Sequence, residues 1–116
     1  MYQSFEELEV WKRSCNLAVG VYKLLRECRD YGLRDQMQRA AVSIASNIAE
    51  GSERSPKEFA RFLDFAHGSV DELRTQLYIA ARIELVTQDD TRPLVNETKE
   101  ISRMLFGLKK SLKTEN

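Results

Sequence analysis

The sequence predicts an all-α protein built as an antiparallel up-and-down four-helix bundle. Three observations carry that expectation. Apolar residues recur at spacings of three and four, with no alternating period-two segment. Only two Pro and five Gly punctuate the 116 residues, which favours long elements. The breaks that do occur leave short connections, which make sequential helices antiparallel neighbours. An apolar content of 42% in a chain of 116 residues suits one packed core, so residues 1–116 are expected to form one domain.

The first helix is expected from Ser4 to about Cys28, with Ser4 and Glu7 as a capping box. Glu6, Glu7 and Glu9 suit the positive end of its dipole, and Arg26 and Arg29 the negative end. Tyr31-Gly32 marks the break. The second helix is expected from about Arg34 to Glu50, closed by Gly51 in a left-handed conformation. The third has the clearest start: Ser55 as cap, Pro56 as first helical residue, Glu58 as capping-box partner. It should run to about Glu84. Thr87 to Asp90 reads as a polar turn. The fourth helix is expected from Thr91, with Pro93 in its first turn, to Lys113.

Each helix offers an apolar seam. The third alternates by four and three through Phe59, Leu63, Ala66, Val70, Leu73, Leu77 and Ala80. The first offers Leu8, Trp11, Cys15, Ala18, Tyr22 and Leu25; the second Met37, Ala41, Ile44 and Ile48; the fourth Leu94, Ile101, Leu105, Leu108 and Leu112. Further apolar rows remain. Val10, Leu17, Val21 and Leu24 lie beside the first seam, and Phe62, Phe65, Ile79 and Ile83 beside the third. Surplus apolar surface is the usual mark of an interface, so Val10, Leu17, Val21, Leu24, Phe62, Phe65 and Ile79 are candidate oligomer contacts. Phe62→Asp or Leu17→Asp is then expected to break the oligomer and spare the bundle. Gly20, Gly68 and Gly107 fall inside helices at roughly 1 kcal/mol each relative to Ala, which points to close packing, or at Gly68 to a kink.

The second helix sets Arg39, Ser43, Ser46, Asn47 and Glu50 along one side, and the third adds Ser69 and Glu72. Arg39, Ser46, Asn47, Glu50, Ser69 and Glu72 are therefore expected to form a structural polar network between helices. Nothing in the sequence carries catalysis. One His excludes a multi-His metal site within one chain, no ExxH pair serves a di-iron bundle, and no nucleophile sits in a recognisable motif. No enzyme activity, cofactor or metal is expected. Cys15 and Cys28, about 20 Å apart if on one helix, are expected to be small buried hydrophobes and not a disulfide.

Eighteen basic and 18 acidic residues give a formal net charge of zero, which disfavours a generally basic nucleic-acid binder. Local basic clusters remain: Arg54, Lys57 and Arg61 near the second turn, and Lys109, Lys110 and Lys113 near the C-terminus. In a ring of identical chains such a patch is multiplied, so these are the candidate phosphate contacts. No apolar run approaches the roughly 18 residues of a membrane span. Met1–Glu9 is acidic and lacks the apolar core of a signal peptide, so no membrane role and a cytoplasmic location are expected.

Three segments resemble a known family: LEVWKRSCNLAVGVY (Leu8–Tyr22), GLRDQMQRAAVSIASNIAEGSER (Gly32–Arg54) and EFARFLDFAHGSVDELRTQLYIA (Glu58–Ala80). With SNIAEG, RFL and GS…EL…QL among them, the chain resembles the bacterial four-helix-bundle proteins encoded in intervening sequences of 23S rRNA genes. The resemblance implies a homopentamer around a central channel, without catalytic residues. The chain is also similar to the accessory protein of diversity-generating retroelements, which binds a reverse transcriptase and nucleic acid. Where family members often carry Pro and a second Arg, this chain has Ala45 and Gln38, so its second helix should be straighter. The expected function is thus a non-enzymatic homo-oligomeric assembly or adaptor module with an RNA, DNA or protein partner. The alternative is a nucleic-acid-binding accessory protein.

Overall fold

Four helices account for most of the computed structural model, which describes residues 4–112: α1 (Glu9–Leu24), α2 (Tyr31–Ser52), α3 (Pro56–Arg82) and α4 (Gln88–Ser111). Lys113 lies outside the described residues. The caps explain where the helices differ from the sequence reading. Ser4 caps a 3-10 turn, Phe5–Glu7, by accepting from the Glu6 N–H at 3.2 Å. Extended Leu8 then separates this turn from α1. Phe5 folds back edge-on to Trp11, ring centroids 5.2 Å apart.

At its far end α1 stops at Leu24, so Cys28 falls in the following loop. The Asp30 carboxylate accepts from the Leu33 N–H at 3.1 Å, which makes Tyr31 and Gly32 the first residues of α2 and not a break. Ser55 caps α3 as expected, accepting from the Glu58 N–H at 3.2 Å with Pro56 in the first turn. Glu84, with φ of 65°, is the positive-φ residue that turns the chain beyond Arg82. Thr87 accepts from the Asp90 N–H at 3.0 Å, so the expected polar turn is the cap and first turn of α4. Pro93 therefore lies inside the helix, where it offers no N–H to the Asp89 carbonyl.

The helices are arranged as a square. α1 packs on α2 and α4, α3 packs on α2 and α4, and the α2–α3 contact is the most extensive. Cross-contacts fix the antiparallel sense. Ser43 meets Ser69 across α2 and α3, Arg13 meets Glu97 across α1 and α4, and Asp64 meets Lys109 across α3 and α4. The bundle is elongated, 48 × 20 × 18 Å. Its core is continuous from Val10 and Leu17 through Met37, Ile44 and Ile48 to Leu63, Leu73, Leu77, Ile101 and Leu105.

Two sequence readings are corrected by this packing. On the first helix the two apolar rows exchange places. Val10, Leu17 and Val21 are buried in the core, while Trp11, Cys15 and Ala18 are half-buried and Tyr22 is exposed. Ser14 sits on the buried row because its hydroxyl donates to the Val10 carbonyl at 2.7 Å, which satisfies it without water. Val10, Leu17 and Val21 therefore face the chain's own core and not a neighbouring copy, and Leu24 packs partly buried against that core. Leu17→Asp would place a charge in the bundle interior and unfold it.

The second correction concerns glycine. Gly51 is helical and buried, and no described glycine has positive φ. Its role is proximity: a Cβ there would lie 2.4 Å from the Phe62 Cβ and 3.1 Å from the Phe59 ring. At Gly20 a Cβ would meet only the flexible end of Leu94, at 2.9 Å. Gly68 and Gly107 have nothing within 4 Å, so no close packing explains them.

These glycines make opposite predictions. Gly51→Ala should destabilise the fold by about 1–3 kcal/mol, the usual result of overpacking. Gly68→Ala should stabilise it by about 1 kcal/mol, because only helix propensity changes. Urea unfolding followed by circular dichroism reads both.

Candidate functional site

Packing Phe62 over Gly51 determines the surface at the α2–α3 turn. Arg54, leaving α2, stacks its guanidinium 4.8 Å from the Phe62 ring centre. Arg61, one turn into α3, lies 5.4 Å from Phe62 and 5.2 Å from Phe65. The two rings meet edge to face at 5.5 Å. The turn therefore unites Arg54, exposed Lys57 and Arg61 on an aromatic platform, a cation–π arrangement that holds the guanidinium groups in place. Acids balance it. Arg54 pairs with Glu50 at 3.7 Å and Arg61 with Glu58 at 2.9 Å.

The other expected basic residues are elsewhere. Lys109 donates to Asp64 at 2.7 Å across α3 and α4, and Lys110 lines the same small hollow with His67 and Phe106.

The expected polar network is divided. Ser43 and Ser69 hydrogen-bond between α2 and α3, and the Asn47 amide donates to the Ser43 carbonyl at 2.8 Å. Arg39, Ser46, Glu50 and Glu72 are exposed instead. The row on α2 straddles two faces: position 43 meets Ser69 of α3, while 39, 46 and 50 reach solvent, where a charge needs no buried partner.

The remaining interface candidates separate by exposure. Phe62 is buried against Gly51, so Phe62→Asp would disrupt the α2–α3 packing and not spare the bundle, whereas Phe65 and Ile79 are each 46% exposed and Ile83 is 53% exposed. With Ser69, Glu72 and Gln76 they complete a second α3 seam, Phe62, Phe65, Ser69, Glu72, Gln76, Ile79 and Ile83, spaced alternately by three and four. Gln76 is 6% exposed, and its Oε1 finds no hydrogen-bond partner among the described residues. On the other side of α2 an open apolar groove of about 370 Å³ runs between α1 and α2, lined by Trp11, Cys15, Ala18, Val42, Ala45 and Ala49 among others.

Several features escaped the sequence reading. Arg13 forms a two-point ion pair with Glu97, both contacts at 2.7 Å, which clamps α1 to α4. The hydrogen bond from Arg13 to Glu97 raises the guanidinium pKa further above its ordinary value. Arg74 donates to Thr98 at 3.0 Å and to Ser102 at 2.9 Å across α3 and α4. Burial pushes the Cys15 thiol up, the opposite of an activated nucleophile, and both cysteines are free. Among the described residues no three His, Cys, Asp or Glu side chains gather as a metal site, and no helix is long and apolar enough to cross a membrane.

Fold and surface together define a small all-α bundle whose exposed apolar seam and apolar groove stand on different faces. The chain belongs to the 23S rRNA-intervening sequence protein family, which it matches over residues 6–107. It is also similar to a solved protein of unknown function from the S23 ribosomal protein family of Bacteroides thetaiotaomicron. That likeness has a TM-score of 0.81 at 27% identity and covers 87% of this chain and 98% of the other. No curated protein matches the chain.

The ion pairs of this surface set its acid response. The hydrogen bond from Arg61 holds the Glu58 carboxyl below the usual glutamate range, and Arg103 does the same for Glu100. Depressed folded-state values stabilise above the unfolded pKa, and that contribution is lost as pH falls through the folded values. Glu58→Gln with Glu100→Gln should therefore flatten the acid limb of stability against pH. Unchanged limbs in urea titrations between pH 5 and 3 would remove these pairs from the account.

Proposed function

We propose that the protein is a non-enzymatic, cytoplasmic assembly module that works as a homo-oligomer. The second α3 seam of one copy docks in the α1–α2 groove of the next. The observation that carries this reading is the seam itself: Phe65, Ile79 and Ile83 are exposed at coiled-coil spacing. A seam on one face and a groove on another make a head-to-tail contact, which closes into a ring when the rotation between copies permits. Five copies is the number implied by the resemblance to the family. A ring of such modules serves as an adaptor, and an RNA, DNA or protein partner would bind its outer or inner faces.

A second reading is a nucleic-acid-binding accessory protein of the retroelement type. What favours it is the platform at the α2–α3 turn, where Arg54 and Arg61 are held over Phe62 and Phe65 beside Lys57. The paired acids Glu50 and Glu58 and the net charge of zero weigh the other way, so assembly is the leading reading.

The head-to-tail contact has a distinctive test. Phe65→Asp spoils the seam and leaves the groove; Val42→Arg spoils the groove and leaves the seam. Each variant alone should sediment as a monomer with native helicity. An equimolar mixture should form a species of two chains, because one good seam meets one good groove. Wild-type mass in either variant, or a mixture that stays monomeric, contradicts the proposed contact.

A further inference from the structure

A further hollow lies at the other end of α3 from the basic turn. An open groove of about 710 Å³ runs along the α3–α4 side, towards the end where these helices are joined. Its polar lining comes from Tyr78 and Arg82 on α3 and from Gln88, Thr91, Arg92, Asn96 and Lys99 on α4. Three cations line it and no carboxylate does. In a chain of zero net charge this is a local separation of charge. Several other surface cations stand beside acids: Arg13 with Glu97, Arg54 with Glu50, Arg61 with Glu58, Lys109 with Asp64.

Within the groove, Arg92 pairs with Asp89 on its own helix at 3.0 Å. Neither Arg82 nor Lys99 has an ion-pair partner among the described residues. Arg82 lies in the last turn of α3, where a cation also complements the helix dipole. That account does not extend to Lys99, in the middle of α4. A second observation points the same way. One turn before Tyr78, the half-buried guanidinium of Arg74 is satisfied by the neutral oxygens of Thr98 and Ser102 and by no acid. Positive charge thus continues along this helix pair.

We infer that the α3–α4 groove binds a nucleotide, either free or as part of a single strand. Arg82, Arg92 and Lys99 hold the phosphate. Arginine offers a planar fork to its oxygens and lysine a mobile point charge. Tyr78, 48% exposed beside these cations, supplies a ring face on which a base stacks. The Asn96 amide and the Thr91 hydroxyl lie within the same groove and give donors and acceptors for a base edge or a sugar. The groove's volume is in the range of small-molecule sites, enough for one nucleotide unit. This site shares no residue with Arg54, Lys57 and Arg61, and the inference stands without the assembly reading.

The test uses the whole chain, labelled with nitrogen-15, and two probes without added metal: AMP and a ten-residue oligothymidylate. At 50 mM salt, amide shifts should cluster on Tyr78, Arg82, Arg92, Asn96 and Lys99. A response to AMP identifies free nucleotides as ligands, and a response to the oligomer alone identifies a strand. With about three charges neutralised on a single strand, raising the salt to 200 mM should weaken oligomer binding about twentyfold. Arg82→Glu with Lys99→Glu should abolish the shifts at unchanged helicity, while Lys57→Glu with Arg61→Glu leaves them in place. Tyr78→Phe should retain affinity and Tyr78→Ala lose about tenfold, consistent with stacking. No shifts with either probe at 50 mM salt, or shifts confined to the α2–α3 turn, would overturn the inference.

Discussion

The approach of Phe62 to Gly51 is the contact on which the rest of this surface depends. Only a residue without a Cβ lets α3 come this close to the end of α2. Once Phe62 is seated there, its ring becomes the floor for Arg54 and Arg61, and Phe65 is carried outward beside it. The same contact fixes the antiparallel register of α2 and α3, which brings Ser43 against Ser69 two turns further on. The outward seam of α3 is therefore a geometric consequence of how its inward seam is packed. A helix with two seams can serve two neighbours, one within the chain and one outside it.

Electrostatics divides the surface in a different way. The net charge is zero because acids and bases are present in equal number, but they are not evenly mixed. The α2–α3 turn, the α1–α4 clamp and the Asp64–Lys109 contact each contain both signs. The groove beside Arg82 and Lys99 is lined by one sign only. Exposed ion pairs contribute little to stability, so the mixed regions are best understood as ordinary solvated surface. A concave region of a single sign focuses its field on any anion that enters. Position within the fold, and not the total charge, separates these cases.

The helices, their order and three of the four core seams were legible in the sequence, because periodicity survives any small error in the caps. The Ser55-Pro56 start was legible to the residue, since each has one favourable place at a helix N-terminus, but the Glu58 carboxylate turns to Arg61 and does not close the capping box. The first helix misled for a physical reason. It carries two adjacent apolar rows, and the buried one contains Ser14, whose hydroxyl is satisfied by its own helix. Composition cannot tell that a serine is self-satisfied. Gly51 resembles a helix end in sequence because close approach and left-handed conformation both select glycine. The candidate site was legible only as a set of residue types. Arg54, Lys57 and Arg61 are near in sequence and stay together, whereas Lys99 meets Tyr78 and Arg82 only because α3 and α4 run antiparallel.

Hydroxyl-radical footprinting of side chains checks the claim that another copy of the chain covers the outward seam of α3. Phe65 and Phe106 have the same chemistry, and in one chain they are 46% and 63% exposed. If the claim holds, Phe65 and Ile79 become protected as protein concentration rises, while Phe106 reacts freely throughout. Equal, concentration-independent labelling of Phe65 and Phe106 would contradict it.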